Sequence, residues 1–239
     1  MQVPSHVTNF KTGTIFTILF KQMAKKYCDD SIIYIDMKEE VIPENEKGKE
    51  LNLDMEIMLS SEEKAKSTFS RARHKLLHPL IWKPMTGNMA TDFKVPAPGG
   101  EVVDTPLVVG DYITIDIPGP KLSAGDGHDW VKVKKVEDNV DPQADESFAL
   151  TVEVCENPEH PEKGVAHFFA AGATSTFIIV RSNQKVTASY YGRNETTNFD
   201  SPALGDKIRN AVIAIGAKAG VSELQWNSFL KGLLGDQES

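Results

Sequence analysis

Cysteine is scarce in this chain: Cys28 and Cys155 are the only two among 239 residues. Two cysteines with no Cys-x-x-Cys spacing exclude a disulfide framework and a thioredoxin-type redox motif. A reducing compartment is the simpler reading. The expected location is cytoplasmic, or within a particle assembled in the cytoplasm. Long apolar runs are also missing. The best candidate, Thr12–Phe20, is far short of the roughly 20 residues a bilayer span needs. The segment "KQMAKK" follows it where a secretory signal would carry a small-residue cleavage site, so neither a membrane span nor a signal peptide is expected. Positive charge is in deficit: 26 Lys and Arg against 34 Asp and Glu leave a net charge of −8. General nucleic-acid binding is therefore not expected, because it needs a large basic surface to displace counterions.

Catalytic signatures are absent as well. There is no Gly-x-Ser-x-Gly elbow, no phosphate loop ending in Gly-Lys, and no Gly-x-Gly-x-x-Gly after a strand. "GDGHD" holds a Gly-x-Gly but lacks the third glycine and the helix. No internal repeat is visible.

What remains is ordinary globular composition, 40% hydrophobic and 25% charged, in a chain long enough to bury a sizeable core. Apolar residues at helical spacing predict an amphipathic helix over 14–27, and Ser31–Asp36 reads as a strand. Leu51, Leu53, Met55, Ile57 and Leu59 alternate with largely polar residues and predict a half-buried strand. A helix near 61–77 follows. Ser60 and Glu63 suit its capping box, and Pro79 stops it.

From Pro84 to Pro120 six prolines break the chain into loops and short strands. "GDYITIDIPGP" and "DWVKVKKVED" supply two strands around "SAGDGHDW". With "VVGDYI" ahead of them, they resemble the turn–strand–loop–strand core of small SH3-like barrels over about 30 residues. Phe148–Cys155 is a further strand. "ATSTFIIV" and "KVTASYY" form a hairpin around "RSNQ". The C-terminus reads as a helical hairpin: one helix after Ser201-Pro202 and a second from Ser222, with Gln225 as its capping partner and Leu224, Phe229, Leu230 and Leu233 inward. The fold class expected is α+β. It has a β-rich central and C-terminal region (antiparallel sheet or small barrel), an N-terminal helix, the 61–77 helix and the C-terminal helical hairpin. The expected division is residues 1–95 and 96–239, or one continuous domain.

Three clusters carry residues capable of chemistry. Asp126, His128 and Asp129 share the "GDGHDW" loop. Their spacing does not follow a calcium loop, and one histidine cannot build a zinc site alone. The plain alternative is a polar connection with Trp130 as an anchor. His74 and His78 share a helix face, but Lys75 stands where a zinc-protease motif needs Glu. Cations there suit the helix's C-terminal dipole. "YYGRNETTN", Tyr190–Asn198, sets aromatic, cationic and amide groups at a strand end. It suits an interface or a pocket, or else a bend at Gly192 with Arg193–Glu195 solvated.

Without catalytic motifs, the function expected is a non-enzymatic structural or adaptor subunit of a multiprotein assembly, such as a phage particle or contractile secretion machine. It would act through protein partners or self-association and hold no cofactor or metal. Its interface residues would be Trp130, Tyr190, Tyr191, Arg193, Asn194 and Trp226. Two alternatives remain. One is a small-molecule-binding sheet and helix domain, with His167–Val180 lining a cavity. The other is a metal-dependent hydrolase using Asp126, His128 and Asp129.

Overall fold

Alternation along Lys49–Met58 builds β1, with Leu51, Leu53, Met55 and Ile57 half-buried and their neighbours exposed. A computed structural model of the chain describes residues 38–86, 92–97, 100–116, 128–139, 145–166, 169–198 and 219–235, without the side chains of 219–222. The predicted helix over 14–27, the strand Ser31–Asp36 and the first helix of the C-terminal hairpin lie outside them. Seven more strands follow β1: β2 (Asp92–Pro96), β3 (Val102–Val103), β4 (Tyr112–Asp116), β5 (Asp129–Asn139), β6 (Glu146–Cys155), β7 (Thr174–Ser182) and β8 (Lys185–Glu195).

All eight join one antiparallel sheet in the order β1-β8-β7-β6-β5-β4-β2-β3. The order runs open from β1 to β3. Among the described residues an open antiparallel sheet forms, in place of the small barrel or SH3-like core also expected. β1 and all of β2 but Pro96 fall in residues 1–95, and they pair with β8 and β4 from residues 96–239. The β7–β8 hairpin turns at Asn183, whose φ of 53° lies in the left-handed region that asparagine tolerates.

Two long helices lie on one face. α1 spans Glu62–Leu77 and buries Ala65, Phe69, Ala72 and Leu76. Its cap is Ser61, which accepts from Lys64 N–H at 3.2 Å, one residue beyond the predicted Ser60. Leu59 N–H is still bonded to Gln184 O at 2.8 Å, so the chain turns into the helix only after it. α2 spans Ala219–Leu234, so Ser222 is inside it and not its cap. Trp226, Phe229, Leu230, Leu233 and Leu234 face the core at i, i+3, i+4, i+7 and i+8. Leu224, predicted inward, is exposed, because five residues before Phe229 is well off that stripe at 3.6 residues per turn. Lys75 Nζ ties the helices together by donating to Gly232 O at 2.8 Å and Gly235 O at 3.2 Å. Trp82 Nε1–H donates to Lys75 O at 2.7 Å and anchors the turn that follows α1.

Between helices and sheet, Phe148, Leu150, Phe177, Ile179, Val186 and Tyr190 form the main core. The opposite face buries Val41, Ala149, Ile178 and Tyr191 as a smaller cluster. β6 is thereby covered on both sides, where the sequence alternation predicts one apolar face.

Candidate functional site

The sheet and α2 enclose an apolar cavity of ≈ 70 Å³. Val152 and Val154 of β6, Val131 of β5 and Ile115 of β4 form its floor. Trp82, Phe93, Phe169, Phe177, Tyr190 and Trp226 supply aromatic walls. Trp226 stacks on Tyr190 with ring centroids 4.6 Å apart and planes 17° from parallel, while its edge contact to Phe177 is at 5.3 Å. Such offset and edge-to-face pairs are preferred by the ring quadrupole.

One end of the cavity is polar. Tyr190 OH donates to Glu195 Oε1 at 3.3 Å and shares a hydrogen bond with Ser175 Oγ at 3.1 Å. Thr174 shares the far face of β7 with Thr176 and Ile178, paired with Glu153 and Arg193, and its buried Oγ1 has no hydrogen-bond partner. Burial pushes the Glu195 carboxyl above its ordinary pKa, and Lys49, the Tyr190 hydroxyl and Arg193 only partly offset this. Burial and the Glu195 charge raise the Tyr190 phenol in the same way. A carboxyl that binds its proton more tightly when folded makes the fold lose stability as pH rises from the unfolded value through the folded one.

A bulge puts Glu195 there. Leu51 pairs with Gly192 but Lys49 pairs with Glu195, so the single residue Glu50 of β1 opposes two of β8, Arg193 and Asn194. The extra residue reverses the alternation. Glu195, which would otherwise point to the far face, joins Tyr190 on the cavity side. Asn194 is the residue that absorbs the bulge, at φ 57°. Its Oδ1 accepts from Glu46 N–H at 2.8 Å and Lys47 N–H at 3.2 Å, and its own N–H donates to Asn45 Oδ1 at 2.8 Å. The loop 43–48 thus clasps the bulge. Gly48 lets it approach: a Cβ there would stand 2.7 Å from the Glu195 carbonyl carbon.

Gly192 leaves the space that the Glu195 side chain fills. A Cβ at Gly192 would lie 2.1 Å from Glu195 Oε1 and 3.1 Å from Tyr190 OH. Gly192→Ala is therefore expected to expel the carboxylate from the cavity, at an overpacking cost of about 1–3 kcal/mol. Carboxyl NMR should show the Glu195 pKa returning toward the ordinary range. An unchanged titration would refute this role for Gly192.

The residues predicted to form an interface are dispersed. Tyr190 and Trp226 line the cavity. Tyr191 lies on the opposite face, with Lys38 Nζ 4.8 Å and the Arg193 guanidinium 5.5 Å from its ring centre, and its hydroxyl donates to Asp54 at 3.3 Å. Asn194 is spent on the clasp. Trp130 is buried against Tyr112, with ring centroids 6.4 Å apart, away from the cavity. Asp126 lies outside the described residues. Among the described residues, no three His, Cys, Asp or Glu side chains gather where they could hold a metal ion. His74 and His78 do share a face, with ring centroids 4.2 Å apart.

No protein-family model and no curated protein matches the chain. Solved structures do match. Protein Ms6760 of Mycobacterium smegmatis is 16% identical, over 77% of this chain and 90% of that one, with a TM-score of 0.36. Norcoclaurine synthase from Thalictrum flavum, in complex with dopamine and hydroxybenzaldehyde, is 12% identical over 80% and 89%, with a TM-score of 0.33. The Aha1 dimer from Colwellia psychrerythraea is 15% identical over 77% and 96%, with a TM-score of 0.34. The fold itself is defined by its own strand order and by α2 packed against one face of the sheet.

The subunit reading is corrected here. Within this chain, Tyr190 and Trp226, assigned above to a docking face, wall an internal cavity. Arg193–Glu195 is not a solvated tip either, since Glu195 is only 8% exposed. Among the described residues, no helix is long and apolar enough to cross a membrane.

Sequence reasoning missed Glu195, Ser175 and Gly192 as one constellation. The signal that could have found it is a glycine followed two residues later by asparagine inside a strand, a pattern that suggests a bulge.

Proposed function

We propose that the protein binds a small molecule in the cavity between the sheet and α2. The observation that carries this reading is an apolar, aromatic-walled cavity with the hydrogen-bonding groups of Tyr190, Ser175 and Glu195 gathered at one end. That combination suits a ligand whose body is apolar and whose orientation is fixed by a few polar contacts. A volume of ≈ 70 Å³ exceeds the about 10–15 Å³ that one water requires. It falls below the about 300–1,000 Å³ of drug-sized sites. The ligand is accordingly small, unless half-buried Trp226 moves off Tyr190.

The test is a titration with isobutanol, p-cresol and indole, followed by the indole NMR signals of the three tryptophans. Saturable shifts are expected at Trp226 and Trp82, which line the cavity, and not at Trp130. Ala173 also lines the cavity and is 2% exposed. Ala173→Leu should fill the space and weaken binding at least about tenfold, through the loss of apolar burial of roughly 1.5 kcal/mol or more. If no probe saturates, or the Leu variant binds as the parent does, the cavity is not a ligand site.

A further inference from the structure

The polar end of the cavity has an uneven balance of charge and of hydrogen-bonding groups. Glu195 is the one ionisable acid on the lining, and no lysine, arginine or histidine lines the cavity with it. The charged and titratable groups that act on it are Tyr190 and Arg193 on β8 and Lys49 on β1. Arg193 is turned to the far face over Tyr191, with its Nη1 donating to Gly192 O at 2.8 Å. Among the described residues no cation stands within ion-pair distance of Glu195. A buried carboxylate with one neutral donor is expensive to keep, and a partner of opposite charge relieves it.

The hydroxyls tell the same story. Tyr190 has one proton, which goes to Glu195, so the Ser175 hydroxyl donates to the Tyr190 oxygen. Acceptor capacity is then left on Glu195 and on Ser175 Oγ. A primary ammonium carries three donors and no acceptor. The walls around it are aromatic, and aromatic faces attract cations.

We propose that the ligand is a small primary amine, bound as its ammonium ion to Glu195 and the Ser175 hydroxyl, with its alkyl or aryl part among the aromatic walls. This rests on the cavity being a ligand site. Amines are recognised by the carboxylate, neutral analogues only by the walls, and carboxylic acids are repelled.

The experiment compares isobutylamine, isobutanol and isovalerate on the full chain by NMR titration at pH 7.5. Isobutylamine is expected to bind about 10- to 100-fold more tightly than isobutanol, the range for hydrogen bonds to a charged group. Isovalerate should bind least. Glu195→Gln keeps the shape and should bring the amine down to the level of the alcohol. Lowering the pH through the titration of Glu195 should do the same in the parent protein, because the protonated carboxyl has no charge to offer. If amine and alcohol bind alike, or Glu195→Gln leaves their ratio unchanged, the amine assignment is overturned and the cavity reading stands. If none of the three binds, and neither do p-cresol and indole, the cavity reading falls and the assignment with it.

Discussion

Glu146→Ala is expected to destabilise the fold by about 3–5 kcal/mol, the cost of breaking a buried ion pair from one side. Arg181 is 1% exposed in the middle of the protein, and its Nε–H donates to the Glu146 carboxylate, which is 5% exposed. The Arg181 guanidinium also reaches Asn183 O at 3.4 Å and lies 3.8 Å from Glu62 at the start of α1. Glu62 is mostly exposed and screened by water. It cannot replace a buried partner. The pair sits where β6 begins and β7 ends, beneath the first turn of α1, and the cavity lies toward the other end of these strands.

In a chain of this length each kcal/mol is worth about 2–4 °C, so the melting temperature should fall by roughly 10 °C. Ligand binding below that temperature should be unaffected. Replacing both partners together, Glu146→Leu with Arg181→Met, should recover most of the loss, because it removes the buried charge along with the bond. A single variant that melts within a degree or two of the parent would show that the pair does not hold α1 to the sheet.

Much of the frame was legible because it depends on local period. β1, β4, β5, β6 and the β7–β8 hairpin follow from alternation, and α1 and the core stripe of α2 follow from 3.6-residue spacing. What was not legible depends on pairing between distant segments. Tyr190 and Tyr191 are neighbours in sequence, so a reading by segment groups them; the sheet sends them to opposite faces, one into the cavity and one toward Lys38 and Arg193. Glu195 carries the opposite lesson. Strict alternation places it with Tyr191, and the bulge at Asn194 returns it to the side of Tyr190. That bulge is held by Asn45, about 150 residues away in sequence on a largely charged loop. The functional reading failed for the same reason. Absence of a sequence motif was read as absence of a site, but a cavity assembled from six strands and a helix leaves no contiguous motif to find.

Phe177→Ala should couple stability to ligand binding most directly. Phe177 is 1% exposed and its ring centre lies 5.2–5.3 Å from those of Tyr190, Trp226 and Phe229, with Trp82 at 6.3 Å. It is the aromatic residue that joins the sheet to α2 and to the turn after α1. Its truncation removes the apolar surface of a whole ring and leaves a void the four surrounding rings can fill only in part, so a loss of about 3–5 kcal/mol is expected. The void would merge with the existing ≈ 70 Å³, since Phe177 is one of its walls. The variant should then accept a benzene-sized molecule that the parent excludes, as apolar cavities of about 150 Å³ do. Binding to the folded state alone raises stability by mass action, by about 2.7 kcal/mol at a hundredfold excess over Kd. Toluene should accordingly recover most of the lost melting temperature in Phe177→Ala and do little for the parent. Equal shifts in both proteins would mean that toluene binds elsewhere, and no shift in either would mean that the enlarged space collapses when the ring is gone.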